Sequence, residues 1–165
     1  LNPYAFSKWA GEEVCKMYSQ IYDLTTSIAR FFNVYGPRHL KTGPYSTVVG
    51  IFEEQYQNSD PLTITGTGEQ RRDFTHVNDI CNGLIAMSIG DHRGEAFNLG
   101  SGTNYSINEL AAMYPNASTA YIPKRPGEAD ETLADTTAIH SATGWLATHK
   151  LKEYVLSYVE GIKND

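Results

Sequence analysis

Tyr4 and Lys8 stand four residues apart in Asn2-Pro3-Tyr4-Ala5-Phe6-Ser7-Lys8, a stretch that reads as the capped start of a helix. Asn2 suits the N-cap, and Pro3 suits the first helical position, where its fixed φ and missing N–H are tolerated. Residues four apart share one helical face with Cβ atoms roughly 5–6 Å apart, so a phenol and an ammonium meet by construction. An ammonium about 6 Å away, at an effective dielectric of about 20, favours phenolate over phenol by roughly 3 kcal/mol. With a second cation beside it, such a phenol could exchange a proton with a substrate hydroxyl at neutral pH. Alone the pair is a weak motif, because roughly 0.5 such spacings are expected by chance in a chain this rich in Tyr and Lys.

Other polar residues gain meaning only in context. Asn33 follows the β-branched and aromatic run 25–32 and is either a ligand-facing amide or a turn former before Tyr35-Gly36-Pro37. Arg71 and Arg72 are adjacent, so in a strand they point to opposite faces and one at most can meet a given ligand. Their other reading is a solvated charged pair. Lys124-Arg125-Pro126-Gly127-Glu128 is a Pro-Gly turn between charges. It is either plain surface or a guanidinium fork for a diphosphate, with Glu128 accepting from a ribose or sugar hydroxyl. Gly66-Thr67-Gly68 reads as a hairpin turn and not a phosphate loop, because a strand-like stretch follows where a helix N-terminus would be needed. His76 fits a structural place better than a catalytic one.

These residues must be positioned by regular elements. The opening helix runs to about residue 22 with Val14, Met17, Tyr18 and Ile21 as an apolar stripe. Residues 25–32 read as a buried strand, 45–56 as a helix, 62–65 as a short alternating strand and 78–89 as a helix. Residues 96–100 form another buried strand, and Ser106-x-x-Glu109 resembles a capping box opening a helix through Met113. Residues 121–123 are extended, 135–143 helical with a stop at Gly144, and 151–162 a final amphipathic helix. Helix, short loop, buried strand is the rhythm of a parallel α/β sheet, whose ligands lie beyond the carboxyl ends of the strands.

Composition narrows the class. The 165 residues are 41% hydrophobic and 19% charged, the make-up of one globular domain. A net charge of -6 argues against a general nucleic-acid surface, so an anionic ligand requires locally clustered arginines. Cys15 and Cys81 are isolated and lack metal-ligand spacing, which predicts buried or free thiols in place of a disulfide or a metal site. No run approaches the roughly 20 apolar residues of a membrane span and no signal peptide is visible, so no membrane partner and a cytoplasmic location are expected. The chain opens on an N-cap without Met, as a fragment would.

Taken together and in order, PYAFSKWAGEE, RFFNVYGPR, TGTGEQRRDFTHVNDI, FNLGSG and RPGEADETLADTTAIHSATGW resemble the C-terminal half of extended short-chain dehydrogenase/reductases. Within that superfamily the pattern is most similar to NAD-dependent nucleotide-sugar epimerases and dehydratases, above all the UDP-glucose 4-epimerase group. The resemblance implies an α/β fold: the C-terminal part of a doubly wound parallel, Rossmann-like sheet plus the small α/β nucleotide-sugar-binding domain. Residues 1–35 and 76–100 would belong to the first part, and 36–75 and 101–165 mainly to the second. It further implies Tyr4 as catalytic acid/base and Lys8 as the residue that tunes Tyr4 and holds the nicotinamide ribose. By the same resemblance Phe32 lines the NAD, Asn33 touches the nucleotide sugar, Arg72 and Arg125 hold its diphosphate, and Glu128 takes the nucleotide ribose.

Departures from the pattern are large. The Gly-rich phosphate turn that opens the Rossmann half, and the Ser/Thr that shares the substrate hydroxyl with the tyrosine, have no counterpart in these 165 residues. A sheet edge and an apolar face are therefore expected to want a partner, whether the N-terminal half or a second copy in a homodimer. The chain alone is expected to bind NAD poorly and to turn over little. A UDP-sugar 4-epimerase is the leading expectation. A nucleotide-sugar 4,6-dehydratase, a decarboxylase and a non-catalytic nucleotide-sugar-binding fragment remain open.

Overall fold

The computed structural model describes residues 2–43, 45–124 and 126–164. In chain order the elements are α1 (Pro3–Tyr22), β1 (Ser27–Phe31), β2 (Val34–Tyr35), α2 (Val48–Gln57), β3 (Leu62–Thr65), β4 (Arg71–Asp73) and β5 (Thr75–His76). There follow α3 (Val77–Met87), β6 (Glu95–Leu99), β7 (Asn104–Ser106), α4 (Ile107–Ala111), β8 (Thr119–Ile122), α5 (Thr137–Thr143) and α6 (Leu151–Asn164). The helix ends obey local chemistry. The Asn2 side chain accepts from the Ala5 N–H at 2.9 Å with Pro3 behind it, and Asp23 closes α1 with φ 54. Ser106 and Glu109 form a reciprocal capping box at α4, and Gly144, with φ 74, closes α5.

Strand pairing is mostly parallel. β1 runs beside β6 with Ser27 opposite Glu95 and Phe31 opposite Leu99, and β2 runs beside β5 with Tyr35 opposite His76. β3 runs beside β8, whereas β4 and β7 are antiparallel, with Arg72 opposite Tyr105. The hairpin expected around Gly66-Thr67-Gly68 is therefore not formed, since β3 and β4 take different partners. The start of α4 fills that turn instead: the Asn108 N–H donates to the Gly68 carbonyl at 3.0 Å, and the Asn108 side chain donates to the Thr67 carbonyl at 3.0 Å. Nonlocal pairing outweighs the local turn signal here.

Two apolar clusters form the core. One joins α2, β3, α4 and α6 through residues such as Phe52, Leu62, Ile64, Leu110, Val155 and Val159. The other collects Ile80 and Met87 of α3, Phe97 and Leu99 of β6, and Ile139 and Trp145. The strand expected to be buried over 25–32 is only half covered, with Phe31 53% exposed. β1 has β6 on one side and, among the described residues, no strand on the other. The stripe Val14, Met17, Tyr18 and Ile21 of α1 lies 45–63% exposed. The helix expected over 45–56 starts later, at Val48, because Thr47 caps it by accepting from the Gly50 N–H at 3.1 Å.

Buried carboxylates tie these parts together. Asp73, at the end of β4, is fully buried and accepts from the amides of Ser101 (2.8 Å), Gly102 (3.0 Å) and Ala134 (3.1 Å) and from the Ser101 hydroxyl (2.7 Å). Gly100 lacks a side chain where one would press on Ala134 and lie 2.9 Å from the Asp73 carboxylate. Asp79 in α3 accepts from the amides of Thr148 and His149 at 3.1 and 2.9 Å and so fixes the approach to α6. Among the described residues, no helix is long and apolar enough to cross a membrane.

Candidate functional site

Tyr4 lies in the first turn of α1 and Lys8 in the next. The Lys8 ammonium sits over the Tyr4 ring, 5.4 Å from its centroid, as spacing four on a helix requires. Both line an open groove of about 830 Å³ that follows α1 and β1 and includes Glu12, Cys15, Arg30 and Phe31. Tyr4 is 70% exposed, so its hydroxyl is open to a ligand.

A second cavity, of about 340 Å³, is lined by Asn33, Thr47, Thr63, Thr65, Arg72 and Glu128 among others. Alternation in β4 aims the two arginines apart. Arg71 turns to Asn104 (2.8 Å to Oδ1) and Glu109 (3.0 Å), while Arg72 takes part in the cleft. Arg72 donates to the Arg71 carbonyl at 2.8 Å and forms no direct ion pair among the described residues, Asp130 feeling its charge only at longer range. Its guanidinium therefore keeps donors for an anionic guest. The neighbouring Asp73 cage fixes the backbone from which Arg72 extends.

Asn33 stands where β1 ends and β2 begins, its carbonyl accepting from the Thr75 N–H at 3.1 Å. Phe32 is half-buried, and its N–H donates to the Leu99 carbonyl at 3.2 Å. Phe31 lines the groove and Asn33 lines the cleft, so the two cavities approach each other at the carboxyl end of β1. That is the place where parallel α/β sheets hold ligands. Thus Asn33, Arg72 and Glu128 share one cavity and Tyr4 and Lys8 share the other, whereas Phe32 is among the lining residues of neither, its neighbour Phe31 lining the groove instead. Arg125 lies outside the described residues.

Residues not foreseen also line the cleft. Thr63 and Thr65 face it because β3 alternates, with Leu62 and Ile64 buried on the opposite side, a pattern visible in Leu-Thr-Ile-Thr itself. Ser46, Thr47 and Gln70 join them. The loop carrying Ser46 and Thr47 is pinned to α2 by Glu53, whose carboxylate meets His39 at 2.9 Å and Lys41 at 3.2 Å. Burial pushes the Glu53 carboxyl up, but the bonds to His39 and Lys41 outweigh this and hold it below the usual carboxylate range.

His76 is buried at the junction of β5 and α3, where its Nδ1 accepts from the Asn78 N–H at 3.2 Å. Its ring stacks on that of His149 at 4.3 Å. Burial and the neighbouring His149 both depress its ionisation. This is a structural place, closed off from either cavity.

Comparison with known proteins reveals consistent similarity. Residues 1–100 match the NAD dependent epimerase/dehydratase family. The chain is 32% identical over 168 residues to a UDP-glucose 4-epimerase of Mycolicibacterium smegmatis, covering 99% of this chain and 53% of that protein. Among solved structures, a UDP-glucose 4-epimerase with UDP-glucose from Thermotoga maritima superposes with a TM-score of 0.89 at 29% identity, over 99% of this chain and 54% of that one. A UDP-glucuronic acid 4-epimerase from Bacillus cereus, in complex with UDP-glucuronic acid and NAD, gives a TM-score of 0.88 at 29% identity, over 99% of this chain and 53% of that one. The chain spans about half the length of the relatives it matches.

Proposed function

The chain belongs to the NAD dependent epimerase/dehydratase family, and on that premise we propose that it is the acid/base and sugar-nucleotide-binding half of a UDP-sugar 4-epimerase. One observation carries this reading: Asn33, Arg72 and Glu128 come from three separate blocks of sequence yet line one cleft, beside the groove that holds Tyr4 and Lys8. A surface of unrelated polar residues gives no reason for such convergence.

In this reading Tyr4, as phenolate, takes the proton from a sugar hydroxyl and returns it after the carbon has inverted. Lys8 stabilises the negative phenolate oxygen and donates to the ribose beside the nicotinamide. NAD, when bound, supplies the hydride acceptor and donor within one cycle. Phe32 is assigned to the cofactor by resemblance, although Phe31 is the phenylalanine that lines the groove with Tyr4 and Lys8, and Asn33 orients the sugar by hydrogen bonding. Arg72, with Arg125, neutralises the diphosphate, and Glu128 accepts from the nucleotide ribose. The groove with Lys8 at its wall suits the ribose end of NAD. Its diphosphate needs a Gly-rich turn before a helix, which these 165 residues do not supply. A 4,6-dehydratase or a decarboxylase of the same family uses the same groups.

A second reading has its own support. The outer edge of β1, which has no strand beside it among the described residues and leaves Phe31 exposed, favours a chain that binds nucleotide sugar without turning it over while that edge stays uncovered. A homodimer through the open α1 face is one way to cover it. Calorimetry with UDP, TDP and NAD separates the cases. Binding of UDP without NAD is expected for the purified chain, with Arg72→Ala weakening UDP by roughly 10- to 100-fold through loss of a charge-assisted contact. Unchanged UDP affinity in Arg72→Ala rejects the diphosphate role. Turnover by the purified chain alone rejects the incompetent reading.

A further inference from the structure

The groove beside Tyr4 and Lys8 contains an ion pair for which the proton-transfer scheme has no use. Glu12 lies four residues beyond Lys8, so Tyr4, Lys8 and Glu12 form one row on α1, and all three line the groove. Across the groove from β1, Arg30 grips Glu12 with both ends of its guanidinium, Nε at 2.7 Å and Nη2 at 2.5 Å from the two carboxylate oxygens. The Glu12 side chain is 13% exposed against 48% for Arg30. Such a two-pronged contact is the strongest form an Arg–carboxylate pair takes.

We propose that Arg30 is a positioning residue for the acid/base pair, holding the Glu12 carboxylate on β1 and away from the Lys8 ammonium one turn earlier. This rests on the acid/base reading of Tyr4 and Lys8. A free carboxylate at that spacing pairs with Lys8, because residues four apart on a helix are within reach. Lys8 would then be neutralised by its own helix and lost to the phenol it overlies. The other lysine near Glu12 is already taken, since Lys16 meets Glu13 at 2.7 Å. The hydrogen bond from Arg30 holds the Glu12 carboxyl below the usual carboxylate range, so Glu12 is anionic at neutral pH and in need of a cation.

The test is the rate at which Lys8 is acylated by an amine-selective reagent, followed residue by residue by mass spectrometry on the purified chain. Pairing with a carboxylate protects an ammonium. Arg30→Gln is expected to slow Lys8 acylation by roughly two- to fivefold, the scale of a helical ion pair. Arg30→Gln with Glu12→Gln should restore it, because no carboxylate is left to pair. Arg30→Lys, which keeps a cation opposite Glu12, should leave the rate near that of the parent. A purely structural role for the pair predicts a different pattern, in which the double variant is disturbed as much as the single one, and that outcome overturns the proposal. So does an unchanged or faster Lys8 in Arg30→Gln, or slowing confined to Lys16. Acylation does not depend on whether Tyr4 is catalytic. Failure of the acid/base reading, seen as full activity of Tyr4→Phe in a completed enzyme, is therefore a separate result.

Discussion

At the scale of single residues, position in the fold decides what a side chain does more firmly than its type. Tyr4 and Lys8 are exposed and open to ligands, whereas His76, an equally plausible proton carrier by chemistry, is buried against His149. Burial and the second imidazole keep His76 neutral below the usual histidine value of about 6.5, so the unfolded chain takes up its proton first as the pH falls. Stability from this group is complete above about 6.5 and is lost progressively as the pH falls toward the depressed folded value. Asp79 acts lower. Its burial is outweighed by hydrogen bonds from His149 and Thr148, and its contribution is present above about 4 and lost as the pH falls below that. The melting temperature is therefore expected to fall between pH 7 and pH 5, and His76→Asn, which retains a helix cap, should flatten that slope in scanning calorimetry. An equal slope in the variant assigns the acid sensitivity elsewhere.

At the scale of elements, what was legible in the sequence was local and what was not was nonlocal. Asn2-Pro3, Ser106/Glu109 and Gly144 announce their helix ends because a cap is made within four residues. The partners of β3 and β4 lie far along the chain at β8 and β7, and nothing in Gly66-Thr67-Gly68 encodes that choice. The cleft shows the same division. Alternation foretold that Arg71 and Arg72 part company, and would equally have indicated Thr63 and Thr65 once Leu62 and Ile64 were taken as buried. That Asn33, Arg72 and Glu128 line one cleft follows from the tertiary arrangement, which no local pattern in the sequence encodes. Two helix glycines test the packing side of this argument. Nothing lies within 4 Å of a Cβ built at Gly11, so Gly11→Ala should stabilise α1 by up to about 1 kcal/mol. A Cβ at Gly83 would run into Leu99 and come 3.2 Å from Trp145, so Gly83→Ala should destabilise by about 1–3 kcal/mol in urea titration. Equal effects at the two sites would show that α3 is not packed as closely on β6 as described.

At the scale of the molecule, the two apolar clusters are joined through polar connections as much as through oil. Asp79 binds the approach to α6 onto α3, and the open side of α1 and β1 leaves one flank of the sheet half covered. The Asp73 cage has the widest reach. One carboxylate, borne by the strand that carries Arg72, holds the turn after β6 and the segment before α5 through hydrogen bonds that end on its two oxygens. Groups that share one acceptor are expected to let go together. In native-state hydrogen exchange the amides of Ser101, Gly102 and Ala134 should open as one cooperative unit with a common free energy, and Asp73→Asn should lower all three at once. Independent exchange at these amides would deny the cage that unity. The Arg72 guanidinium thus extends from a strand anchored by a buried acid, so that loosening this cage is expected to free that strand together with two chain segments far from it in sequence.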